Sequence, residues 1–211
     1  MLDNIDSIYL VGYSGHAYVV LTSLIQAHIP IKGYLSKTKE KRNPFNLTYC
    51  GSERDEEFEG WSNNSAFVLG IGDNFIRRKV GELIRSRNKR CLSLIDNRAN
   101  IAPGVTIKDG TFVSTGAIIN TFSTIEHDVI VNTGAIIEHE CEVGSGAHIA
   151  PGVVLLGNVK IGKNTFIGAN SVVRQGLSIG DNVVVGAGSV VVNNIESNTK
   201  VVGNPAKRLL I

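Results

Sequence analysis

The chain has 211 residues, long enough for one large or two modest domains, with 21 Lys and Arg against 19 Asp and Glu and a net charge of +2. That balance excludes the electrostatic footprint of a nucleic-acid-binding protein, and the basic clusters at 37–42 and 85–90, short and interrupted, read as solvated surface. Cys50, Cys91 and Cys141 fit neither a disulfide framework nor paired metal ligands, the first seven residues lack a basic segment followed by an apolar run, and no stretch approaches a membrane span, so a soluble cytoplasmic protein with reduced thiols is expected.

Ser7–Val11 reads as a buried strand running into Gly12, Tyr13, Ser14, Gly15 and His16, after which residues 17–27 carry the apolar spacing of an amphipathic helix. A strand, a glycine turn and a helix start suit an anionic ligand, because the free amides and the dipole at the helix amino end both favour negative charge. The three-glycine dinucleotide pattern is absent, and Gly12 with Gly15 serves a plain tight turn equally well. Residues 29–35 read as a second strand, and the polar stretch 38–64 as holding a short strand near 47–50 and a turn or helix near 53–58. A third strand is expected over 66–71, ending in Gly72, Asp73 and Asn74 before a helix over 75–87. Strands alternating with helices predict a small parallel α/β sheet whose ligands sit at the carboxyl ends of its strands, where residues 12–16, Ser36 with Lys37, and Gly72 all fall. Residues 91–100 form the join, with Ile95 already in the next unit. The expected domains are therefore 1–92, Rossmann-like, and 93–211.

Across residues 101–196 an Ile, Val or Leu stands at every sixth position, sixteen times, beginning at Ile101 and ending at Val191. An α-helix is excluded, because six residues rotate it by roughly 240° and would scatter these side chains over three faces. The residue two before each aliphatic is mostly small or apolar and points to the same side of a short strand. Thirteen of the sixteen residues three after the aliphatic are Gly or Asn, the types that tolerate positive φ and so mark the corners. Short strand and sharp corner in regular alternation describe a solenoid. The pattern resembles the left-handed parallel β-helix of hexapeptide-repeat acyltransferases, in which three hexads make one triangular coil of eighteen residues.

Phe122, Asp128 and Glu140 break the Gly/Asn rule, and local inconsistency is expected where function overrides folding preference. Two of them follow histidine, as His127-Asp128 and His139-Glu140, each a possible general base beside an orienting carboxylate and each equally readable as ordinary surface. Gly157, eighteen residues after His139, separates the pairs: it would stack one coil away, about 4.8 Å along the solenoid, and expose a backbone amide. A base and an exposed N–H are the two elements that acyl transfer needs, the second as donor to an oxyanion. Beside His127 the equivalent residue is Ser145, which keeps a side chain.

Nearly the whole chain is similar to the sugar-nucleotide N-acetyltransferases that join a small Rossmann-like domain to a left-handed β-helix, above all those of the bacillosamine-pathway type. The resemblance rests on residues 12–16; Ile71, Gly72, Asp73 and Asn74 with Arg77; Asn132 and Thr133; the run 137–141; 157–162; and the closing 202–208. It implies that His139 is the base, that Glu140 raises its basicity, and that His148, Gly157, Ala169 and Ala187 contact acetyl-CoA along the prism between subunits of a homotrimer. It further implies that Ser14, Gly15, His16 and Gly72 hold a nucleotide-linked amino sugar, a UDP-4-amino-4,6-dideoxy sugar, with Ser36, Lys37 and Asn132 completing the substrate site. No metal is required. The family often carries two acidic residues after its second strand, whereas this chain has Ser36-Lys37, which leaves the nucleotide base open.

Three other readings remain. A hydroxyl could replace the amine as acceptor, giving an O-acetyltransferase on a sialic-acid-like sugar. A zinc-dependent carbonic anhydrase uses a similar β-helix, but His127, His139 and His148 are spaced by twelve and nine and the ligand pair five residues apart is missing. A non-catalytic trimeric scaffold would bind nucleotide sugars alone.

Overall fold

The computed structural model describes residues 5–209. Its amino-terminal part begins with β1 (Ser7–Val11) and α1 (Gly15–Gln26), joined at Gly12 with φ +88°. A Cβ on Gly12 would stand 3.0 Å from Ile71 Cγ1 and 3.2 Å from the Gly70 carbonyl oxygen, so both φ and the close approach of two strand ends require glycine there. β2 (Gly33–Leu35), β3 (Ser65–Leu69), α2 (Asn74–Ser86) and β4 (Arg90–Cys91) follow. All pairings are parallel, in the order β2-β1-β3-β4. Asp73 caps α2 by accepting from the Ile76 amide at 2.9 Å.

Differences from the expected elements are local. The second strand is shorter than 29–35 because Pro30 has no N–H and Ile29 turns its own amide to the Leu24 carbonyl. The strand expected near 47–50 is one bridge, Tyr34 with Tyr49, and the region 53–58 forms turns, followed by a 3-10 turn at Glu59–Trp61. β4 was not foreseen, since two residues carry no period.

From Leu94–Ile95 onward the chain forms two-residue strands in three sheets of eight, six and five strands, visited in that order and parallel throughout except at the end, where the three-residue strand Lys200–Val202 pairs antiparallel with Lys207–Arg208. Partners lie eighteen residues apart, as in Ile118 with Ile136 and Ile136 with Val154. From Val113 to Val191 every sixth aliphatic is buried, and inward hydroxyls are satisfied in place, Ser123 donating to the Glu138 carbonyl at 2.8 Å and Thr165 to that of Gly180 at 2.7 Å. Ile101 and Ile107 are only half-buried at the open first coil.

The small domain sits on the eight-stranded sheet. Leu94, Phe112 and Ile130 of the solenoid join Ala17, Leu21 and Leu24 of α1 in one apolar core. The edge between the six- and five-stranded sheets, which carries residues 121–122, 139–140 and 157–158, therefore lies across the prism from that domain.

Candidate functional site

The three rule-breaking corners adopt left-handed backbone, φ +61° at Phe122, +60° at Asp128 and +58° at Glu140, and each has a different setting. At the edge opposite the small domain, His139 Nδ1 lies 3.0 Å from Glu140 Oε2, with both side chains more than half exposed. With the carboxylate accepting from Nδ1–H, Nε2 presents a lone pair. Glu140, not Glu138, is thus the carboxylate that meets the imidazole. Gly157 lies one coil on, and a Cβ there would stand 2.6 Å from His139 Nε2. The missing side chain accordingly seats the imidazole itself, a sharper role than opening the backbone to a ligand, and among the described residues the Gly157 amide has no hydrogen-bond partner. A groove of about 860 Å³ opens beside this corner over the five-stranded sheet, lined by Phe122, Glu140, Glu142, Asn158 and Lys160.

The second histidine pair is not one chemically. Asp128 is fully buried and both its carboxylate oxygens are held by Arg85, while its carbonyl accepts from Arg77 Nε at 2.7 Å. Gly81 and Gly110 leave room for that carboxylate. This corner breaks the repeat in order to clamp the two domains, a role that sequence reasoning missed.

Arg77 is the other missed residue. It is 1% exposed and donates to the carbonyls of Ile71, Gly72, Gly146 and Ala147 as well as Asp128, so it ties the end of β3 to the solenoid. A signal existed: Asn74, Arg77, Val80, Gly81 and Ile84 are the buried stripe of α2, and an arginine on such a stripe needs acceptors. Asn74 donates from the same stripe to the Asn164 carbonyl at 3.0 Å.

At the carboxyl ends of the small sheet, Ser14 is the N-cap of α1 without a side-chain capping bond, Gly15 has open space around it, and a Cβ on Gly72 would lie 3.5 Å from His16 Cβ. These residues gather at one crest as expected. Ser36 follows β2, its hydroxyl turned to the Thr38 carbonyl, and Lys37 is exposed beside it. Tyr13 stacks on Tyr34 at 4.1 Å between ring centres and anchors the following loop through Asn43.

The crest meets the solenoid at a histidine pair. The rings of His16 and His148 lie 6.3 Å apart, and His148 stands edge-on to Phe166. The Thr133 amide donates to Asn132 Oδ1 at 2.8 Å, which turns Asn132 Nδ2 toward His148 Nε2 at 3.0 Å and leaves the His148 proton on Nδ1. Burial, reinforced by the Arg77 charge, pushes His16 down to about 4; burial, Arg77 and His16 push His148 down to about 3. Both are neutral at pH 7, and His16 Nε2 is buried without a hydrogen-bond partner among the described residues.

The acetyl-CoA contacts expected from resemblance are dispersed within one chain. Ala169 and Ala187 stack one coil apart on the edge between the eight- and six-stranded sheets, Gly188 donating to the Ala169 carbonyl at 2.8 Å. Gly157 lies on the next edge, and His148 on the eight-stranded sheet. Among the described residues no three His, Cys, Asp or Glu converge as metal ligands, and no helix is long and apolar enough to cross a membrane.

The PglD N-terminal domain model matches residues 7–84, the bacterial transferase hexapeptide model (six repeats) residues 122–157, and the hexapeptide repeat of succinyl-transferase residues 158–192. No curated protein matches the chain. Among solved structures, a histidine-to-asparagine variant of perosamine N-acetyltransferase from Caulobacter crescentus, in complex with CoA and GDP-perosamine, is 29% identical with a TM-score of 0.88, covering 98% of each chain. The acetyltransferase domain of PglB from Neisseria gonorrhoeae, in complex with acetyl coenzyme A, is 28% identical with a TM-score of 0.91, covering 97% of this chain and 100% of that one. WeeI from Acinetobacter baumannii, at 19% identity and a TM-score of 0.58, shares the fold. The amino-terminal domain, the repeat and the whole-chain likeness agree, and the chain is closely similar to the hexapeptide-repeat, left-handed β-helix sugar-nucleotide N-acetyltransferases.

Proposed function

We propose that this protein is an acetyl-CoA-dependent N-acetyltransferase of bacterial glycan biosynthesis whose acceptor is a nucleotide-linked amino sugar, a UDP-4-amino-4,6-dideoxy sugar being the one expected. The observation that carries this reading is the His139 imidazole held by Glu140 and seated on Gly157. Acetyl-CoA supplies, when bound, an acetyl group activated as a thioester. His139 Nε2 takes the proton that the attacking amine sheds and returns it to the sulfur as the carbon–sulfur bond breaks. Glu140 stabilises the imidazolium in between. The Gly157 amide, without a partner of its own, is placed to donate to the carbonyl oxygen as negative charge develops there.

The crest of Ser14, Gly15, His16 and Gly72 would hold the nucleotide, with Ser36, Lys37 and Asn132 around it, and His148, Ala169 and Ala187 would line the acetyl-CoA path. The crest and His139 lie on opposite sides of one prism, so a single ligand engages both only if two copies contribute. A homotrimer with sites between subunits meets that need with closed symmetry. The three free thiols accord with a cytoplasmic location.

A thiol-release assay with acetyl-CoA against UDP-, dTDP- and GDP-linked amino sugars, with sialic acid as the hydroxyl control, tests the proposal. Turnover with an amino sugar is expected. Turnover with sialic acid alone would make it an O-acetyltransferase, and turnover with none would leave a binding scaffold.

A further inference from the structure

The small sheet is extended at its outer edge by residues 48–51. The Tyr34 amide donates to the Thr48 carbonyl at 2.8 Å, the Cys50 amide to the Tyr34 carbonyl at 2.9 Å and the Ser36 amide to the Gly51 carbonyl at 3.0 Å, so this run lies parallel to β2. A Cβ on Gly33 would collide with Cys50 Sγ and the Thr48 carbonyl, so the close approach of the run requires glycine there. Being parallel, the run ends on the same crest as β2, and Gly51, with φ +107°, turns the chain into Ser52 and Glu53 beside it. Glu53 is 7% exposed, and among the described residues its carboxylate reaches only Ser52 Oγ at 3.5 Å and Arg54 Nε at 3.6 Å. Both distances stand at or beyond the limit of a hydrogen bond, whereas a buried carboxylate needs donors to offset its lost hydration. Nothing in the chemistry above uses it.

The crest also has a direction. The His16 ring lies 5.6 Å from that of Phe112 and 6.3 Å from that of His148, both on the solenoid, and Gly72 adjoins His16, so the reacting sugar belongs at that end. The free amides at the start of α1 suit the diphosphate, which leaves the nucleoside over β2 and the edge run. Parallel nucleotide-binding sheets place a carboxylate beyond β2 to accept from the ribose; here Ser36 and Lys37 stand there, and the Ser36 hydroxyl is turned to the Thr38 carbonyl. We propose that Glu53 supplies this carboxylate from the neighbouring strand end, accepts from the 2′- and 3′-hydroxyls of the ribose, and so makes the protein select ribonucleotide-linked sugars over 2′-deoxyribonucleotide-linked ones. The inference rests on the crest holding the nucleotide, as proposed above, and concerns the sugar of the nucleoside and not its base.

Calorimetric titration of the whole chain with UDP, GDP and their 2′-deoxy counterparts tests this, with Glu53→Gln as a variant that keeps the shape and removes the charge. Whichever base binds, the wild type should hold the ribonucleotide at least about tenfold more tightly than its deoxy form, the worth of a hydrogen bond to a charged group. In Glu53→Gln that ratio should fall toward one through weaker ribonucleotide binding alone, at an unchanged thermal midpoint. Should this variant fail to fold, Glu53→Asp, which draws the carboxylate back by one methylene, must lower the same ratio. Equal affinity of the wild type for both forms overturns the proposal, as does a variant that weakens both alike, which would give Glu53 a structural part only. A variant that changes the preference between bases and not between sugars overturns it too, and so does a wild type that binds none of the four. If ribose selectivity depends on Glu53 but no amino sugar is acetylated, the functional reading fails while this one stands.

Discussion

Gly157 leaves, by a single missing atom, the room in which the imidazole of the proposed base sits. Its backbone is not in the left-handed region, so Gly157→Ala leaves the coil intact, but the new methyl would meet the His139 ring and must displace it. The expected outcome is a large fall in kcat with the thermal midpoint nearly unchanged; normal turnover would remove the seat from the mechanism. His139→Ala is expected to bind acetyl-CoA yet turn over about 100-fold more slowly or worse. Isothermal titration with steady-state kinetics checks both halves, and retained turnover refutes the role of base. Glu140→Gln keeps a group beside Nδ1 without the charge, so a smaller loss is expected.

At the scale of elements, α2 and one solenoid corner hold the domains together. Arg85 reaches across from α2 to the fully buried Asp128. Asp128→Asn retains a residue suited to φ +60° and removes only the charge, so its effect isolates the ion pair. Breaking such a pair from one side leaves a half-buried guanidinium without its partner, and a loss of roughly 3 kcal/mol is expected by urea denaturation. An unchanged midpoint would mean that the corner is held by Arg77 and apolar contact alone. The Arg77 bonds to Ile71 and Gly72 pass the same constraint to the crest, which ties domain docking to the shape of the proposed ligand site.

For the whole molecule, the seam between domains makes stability depend on pH. His16 and His148 have folded values near 4 and 3 against an ordinary 6.5, so the unfolded chain takes up their protons first. Their effect is absent above pH 6.5, lowers stability as pH falls from there through the folded values, and levels off below about 3. For His16 alone the loss is on the order of 3 kcal/mol. Denaturation midpoints measured between pH 7 and 4 should therefore fall, and His16→Gln should flatten the profile; equal slopes in both proteins would contradict this origin.

The hexad, the α/β alternation and the pairing of His139 with Gly157 were legible in the sequence because each is a fixed spacing. A two-residue strand and a corner repeat so strictly that a one-residue slip would turn buried aliphatics outward, and stacking at eighteen residues follows. Gly157 singled out His139-Glu140 in the sequence, but only the tertiary structure showed that the Asp128 corner is a clamp between domains, because nothing in the string His127-Asp128 marks a buried carboxylate. Their difference lies in what packs against each edge of the prism: α2 delivers Arg85 and Arg77 to one, while the other is left exposed. The neutral His16 and His148 pair likewise exists only where two domains exclude water between them.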